Sequence, residues 1–432
     1  MALLNEEKES CSLKGVLPHE ALFISLKFLQ IVMLCSGLSF AASAASRNDK
    51  TEMTISKSIH YELIGTYDVS RLNEVFTKEL SEFSKFPVHF PAAIYPVKLY
   101  RVTYASVIPE WKNRPTTASG LLAIPESGAK TFPVVSYQHG TVFSKTAVPS
   151  NPDESMETRL MLAQFAGQGY IVVAADYFGK GESKDHDSYL VKNSTQQACL
   201  DMLRAGRSTS SDLKLHWGPL FLSGWSQGGW ATMAFLNKLE SLDIPVAAAA
   251  TAAAPHDLYA IINHWLHQPG DHDAAFLPDL LALQLNAYAE YYGIPGLPES
   301  AIKPEYLRDA RDLYLNKIIW EEGEKKLPTR LADFLRKDFS ATSSLGGTRY
   351  WEILRANEVY LWRSKTPLRS YYGGADEVTP ASIATLPVTF QKIMGGAGST
   401  GVDAGADANH QGVFLYSIAD EKKWFDQLLL KH

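Results

Sequence analysis

Four short runs of almost unbroken apolar residues limit what this chain can fold into. They are Phe132–Tyr137, Tyr170–Ala175, Pro219–Leu222 and Pro245–Ala250, and helical stretches separate them at 157–165, 196–205 and 230–239. A strand that is apolar on both faces must be covered on both, and helices between such strands supply the cover. The pattern therefore predicts an α/β architecture, a mostly parallel, doubly wound sheet. Earlier strands at Val97–Tyr104 and Ser119–Ile124 read as an antiparallel edge. A helix is expected before them, because Val69, Leu72, Phe76, Leu80 and Phe83 share one helical face. From 256 to 366 the strand–helix rhythm stops, and it resumes only at Leu368–Tyr372. We read 256–366 as an inserted helical cap, with 45–255 and 367–432 forming one catalytic domain.

Between the run at Pro219–Leu222 and the next helix stands Gly224-Trp225-Ser226-Gln227-Gly228. A serine hydroxyl is a weak nucleophile until a tight strand–turn–helix thrusts it toward a base, and crowding at such a turn demands glycine on either side. Ser226 is the candidate nucleophile. Acyl transfer also needs donors aimed at the developing oxyanion. The backbone N–H of Gln227 is one candidate. Thr141, in the loop after the strand ending at Tyr137, is the other, with His139 in the same loop as the alternative donor.

These motifs resemble the α/β-hydrolase superfamily. The resemblance rests on the serine pentapeptide, on His139-Gly140, and on Asp176-Tyr177-Phe178-Gly179-Lys180-Gly181-Glu182-Ser183 after a strand. Within the superfamily, Tyr137-Gln138-His139-Gly140-Thr141 and the cap are most similar to bacterial and fungal secretory lipases and secreted lipase/esterases. The resemblance implies an α/β-hydrolase fold and hydrolysis of fatty acyl esters through an acyl-enzyme, without cofactor or metal. It also implies a carboxylate and then a histidine after the serine. Asp376, just past the returning strand, is the candidate acid, with Glu377 its rival. Of the 12 histidines only His410 and the terminal His432 lie beyond Asp376, so His410 is the candidate base.

The first residues read as an address. Phe28–Ser46 carries no charge, Lys27 precedes it, and Ala42-Ser43-Ala44 offers a small-residue exit. Residues 1–44 are expected to be a secretory signal peptide and the protein to be exported. Cys11 and Cys35 would leave with it, so Cys199 would stand alone and the mature chain would hold no disulfide. Forty-one Lys+Arg against 47 Asp+Glu, a net charge of -6, excludes the basic footprint of a nucleic-acid binder. The expected partner is a small-molecule or lipid ester, with transient contact between the cap and a lipid surface. Two rivals share the fold: a serine peptidase and a non-catalytic binder. His264, His267, Asp271, His272 and Asp273 include ligand-type residues, but Pro and Gly break the segment, and we read it as a solvated loop.

Overall fold

The computed structural model describes residues 59–340 and 348–431. The expected signal peptide lies outside the described residues. A nine-stranded sheet runs in the order β1-β2-β3-β5-β4-β6-β7-β8-β9. β1 (His60–Tyr67), β2 (Val97–Ile108) and β3 (Arg114–Pro125) are antiparallel, and β3 meets β5 antiparallel too. The other six are mutually parallel: β4 (Thr131–Gln138), β5 (Ile171–Ala175), β6 (His216–Trp225), β7 (Ala248–Ala252), β8 (Leu368–Tyr372) and β9 (Ser399–Asp403).

The apolar runs have the expected cause. In β5, Ile171 and Val173 join one core cluster, while Val172 and Ala174 join the other. Alternate side chains point to opposite faces, so a strand buried on both faces is mostly apolar along its length. One face is covered by the helices Lys192–Asp212 and Gln227–Ser241, the other by Met156–Gln164 and the final helix His410–Leu429.

Two strands were not foreseen. β1 and β9 are the sheet edges and keep exposed positions, so neither shows a continuous apolar run. The predicted helix over Val69–Phe83 forms, with one wide π turn at Val75–Glu79. Between β7 and β8 the described residues form helices, chiefly Leu258–His267, Leu277–Tyr291, Leu307–Tyr314 and Arg349–Ala356, plus one isolated bridge, Ile302–Leu335. Ile261, Leu281 and Tyr288 from this segment share a core cluster with Trp230 and Phe235 beneath the sheet. The insertion is thus packed onto the sheet-covering helices. No helix among the described residues is long and apolar enough to cross a membrane.

The strand order carries one consequence for function. β5 lies on one side of β4 and β6 on the other, so the winding reverses at β4. In open parallel sheets, ligands bind beyond the carboxyl ends of the strands at such a reversal.

Candidate active site

Ser226 sits at that point. β6 ends at Trp225 and the helix Gln227–Ser241 begins at once, which leaves Ser226 as the cap at φ 56°, ψ −122°. A side chain in this left-handed region costs on the order of 1–3 kcal/mol and persists only where neighbours enforce it. They do so here: the Ser226 N–H donates to Ala252 O at the end of β7 (2.8 Å), and Ser226 O accepts from Gly229 and Trp230. The flanking glycines have no alternative. A Cβ on Gly224 would lie 2.2 Å from Gly228 O, and one on Gly228 1.8 Å from Gln138 O.

The loop after β4 approaches from the other side of the reversal. His139 is buried, stacks on Tyr177 at 4.2 Å, and holds Nδ1 2.8 Å from Gly140 O. Burial pushes its pKa down to about 4, so the ring is neutral. The Tyr177 hydroxyl donates to His139 O. The loop carrying Tyr177 is therefore a brace for the loop carrying Thr141. The N–H groups of Thr141 and Gln227 have no hydrogen-bond partner among the described residues. Two unspent donors thus flank Ser226, one on each side of the reversal.

Asp376 and His410 come from beyond β8. Asp376 Oδ1 accepts from Val378 N (3.0 Å), Thr379 N (2.9 Å) and His410 Nδ1 (2.9 Å). Glu377 takes a different role, since its Oε2 accepts from the backbone N–H of His410 (2.9 Å). Asn409 caps the final helix by accepting from Gly412 N, and Trp225 Nε1 donates to His410 O. Burial opposes charge on His410. The Asp376 charge and hydrogen bond, with Glu377, outweigh it and raise the pKa above the usual histidine value. Ser226, Thr141 and His410 line one cleft of about 840 Å³. Among the described residues no hydrogen bond joins the Ser226 hydroxyl to His410 Nε2; such catalytic contacts often tighten only when substrate binds.

Glu157 is the residue that sequence reasoning missed. It opens the helix Met156–Gln164 yet is buried, and its Oε1 accepts from Gly140 N (2.7 Å) and from the Tyr137 hydroxyl. Burial pushes it up to about 8, with the Gly140 bond partly opposing. Its sequence neighbourhood shows only a helix start, because what buries it arrives from residues 137–140. The folded chain keeps a proton here that the unfolded chain releases near pH 4.5, so the stabilising contribution is complete below that value and is lost by about pH 8. Glu157→Gln keeps an oxygen for both donors and cannot ionise. Its unfolding free energy should gain on wild type between pH 5 and pH 9, by on the order of 2–4 kcal/mol at the alkaline end. A pH-independent difference in thermal melts would contradict this.

His264 and His267, expected in a solvated loop, instead stand in the last turn of the helix Leu258–His267, which forms because Leu258, Ile261, Ile262 and Trp265 bury one face. Only the residues after it form a loop, with Asp273 accepting from Gly270 N (2.9 Å). Cys199 is a buried free thiol, and burial raises its pKa.

No family model matches the chain, and no curated protein matches it in sequence. Solved structures match over more than four-fifths of the chain. A Legionella pneumophila protein assigned as a hydrolase aligns with TM-score 0.75 at 23% identity, covering 85% of this chain and 97% of its own. The rice cell wall degrading esterase LipA from Xanthomonas oryzae aligns at 0.74 and 22%, covering 86% and 98%. Candida antarctica lipase A in its closed state aligns at 0.57 and 15%, covering 81% and 77%. At these identities the likeness is one of fold.

Proposed function

This chain has the α/β-hydrolase fold, and on that premise we propose that it is a serine hydrolase of carboxylic esters acting through an acyl-enzyme on Ser226. The observation that carries the reading is the Asp376–His410 pair at 2.9 Å, opening on the same cleft as a serine held in the strained turn after β6. An esterase and a lipase among proteins of this fold support the ester chemistry.

In this reading the Ser226 hydroxyl oxygen attacks the ester carbonyl carbon and its proton passes to His410 Nε2. The carbonyl oxygen becomes an oxyanion, held by the free N–H groups of Gln227 and Thr141, each worth about 3–4 kcal/mol of barrier. The tetrahedral species collapses, the bond to the alcohol oxygen breaks, and Nε2–H protonates that oxygen. Water then gives its proton to Nε2 and attacks the acyl carbon, the bond to Ser226 Oγ breaks, and Nε2–H returns the proton to that oxygen as the acid leaves. Asp376 holds the Nδ1–H tautomer throughout and stabilises the imidazolium. Residues 256–366 act as a cap over this site, and residues 1–44 direct export.

A fluorophosphonate probe followed by peptide mapping tests the assignment. The adduct should map to Ser226. Because neutral His410 is required and its pKa is raised, the labelling rate should climb with pH through a midpoint above about 6.5 and then level. An adduct on another residue, or a rate flat down to pH 4, would overturn the proposal.

A further inference from the structure

Two cavities meet at Ser226, and they differ in size and chemistry. The smaller, about 30 Å³, is walled by Leu258, Ile261, Ile262, Leu281 and Val378 and includes Gln227 but not His410. The larger, about 840 Å³, includes Thr141 and His410 but not Gln227. Leu280 lies between them and lines both.

We propose that the enzyme hydrolyses esters of a short acyl group, up to about four carbons, with a bulky uncharged alcohol. The inference rests on the serine-hydrolase reading above. Proton transfer sets the direction of binding. The leaving oxygen must receive the proton held on His410 Nε2, so the alcohol occupies the cavity that His410 lines. The acyl chain then points the opposite way, past the Gln227 N–H, into the small cavity.

Size limits the acyl group. At roughly 10–15 Å³ for each water-sized group, the small cavity takes two or three carbons beyond the carbonyl. Its walls cannot easily retreat: Leu258, Ile261 and Leu281 are each 1% exposed and belong to the main core cluster. A close-packed wall resists a longer chain by overpacking.

The large cavity specifies the alcohol. Phe143 and Trp320 stack in parallel at 5.5 Å and give it a flat apolar wall. Glu154, Glu321 and Glu377 line it, and no lysine or arginine does so among the described residues. With His410 neutral in the active form, an anionic alcohol would meet a net negative lining, whereas a large neutral one finds aromatic surface and hydrogen-bond acceptors.

The full-length protein is assayed on p-nitrophenyl acetate, butyrate and octanoate, on 2-naphthyl acetate against methyl octanoate, and on phenyl acetate against 4-acetoxybenzenesulfonate. We expect kcat/KM for octanoate to fall about ten-fold or more below butyrate. Naphthyl acetate should exceed methyl octanoate, and the sulfonate should fall several-fold below phenyl acetate. Leu281→Ala should raise the octanoate-to-butyrate ratio about ten-fold. Should that variant misfold, the milder Ile261→Val is read the same way, with a smaller gain. Octanoate equal to or above butyrate, or methyl octanoate above naphthyl acetate, would overturn the proposal while leaving ester hydrolysis intact. Absence of both turnover and Ser226 labelling would instead strike the underlying reading.

Discussion

Ser226→Ala should lose about 10⁴-fold or more of ester turnover and keep a melting temperature within about a degree of wild type. Removal of the nucleophile leaves only binding and the oxyanion donors, and these cannot form the acyl-enzyme. The fold should not register the change. The Ser226 hydroxyl makes no hydrogen bond among the described residues, and alanine inherits the same backbone strain at φ 56°. Ser226→Gly separates strain from chemistry. Glycine adopts positive φ freely, so this variant should be equally inactive yet melt about one or two degrees higher, once its greater unfolded-state entropy is subtracted. A Ser226→Ala enzyme with a tenth of wild-type turnover would refute the nucleophile. A Ser226→Gly protein that melts below wild type would refute the strain.

Gly228→Ala is expected to cost more than about 3 kcal/mol, or to prevent folding outright, although it adds one methyl group. That methyl would stand 1.8 Å from Gln138 O and 2.7 Å from His139 O, both backbone atoms at the end of β4. Neither can easily move aside, because Gln138 pairs with Gly224 of β6 and the residue before it, Tyr137, pairs with β5 as well. The close approach is functional as well as structural, since it draws the start of the Ser226 helix against the loop that carries Thr141. Gly398→Ala is the matched control. Nothing lies within 4 Å of its Cβ position, and its melting temperature should stay near wild type. Circular dichroism melts of the two variants check this, and a Gly228→Ala protein as stable as wild type would contradict the geometry.

Much of this arrangement was readable from residue order alone, for a local reason. β4, β5, β6 and β7 announce themselves because burial on both faces leaves few polar positions, Ser136, Gln138, Ser223 and Thr251 among them, whereas the edge strands β1 and β9 face solvent and carry no such mark. The turn around Ser226 is equally local: its two glycines are demanded by backbone atoms within a few residues or on the adjoining strand. Asp376 and His410 could be nominated by their position after Ser226, but not told from Glu377 by any local signal. The distinction lies in which hydrogen bond each carboxylate makes, one to the imidazole and one to the backbone N–H.

The primary structure by itself determined the layered α/β scaffold, the serine turn and a short roster of candidate acid, base and oxyanion groups. Tertiary structure alone decided that Glu157 lies beneath the Thr141 loop, that Tyr177 braces His139, and that Ser226 opens onto one small and one large cavity. The division has a physical origin. Periodicity and turn geometry are set by neighbours a few residues away, while burial, pKa and cavity shape are set by groups that meet only after the chain has closed on itself.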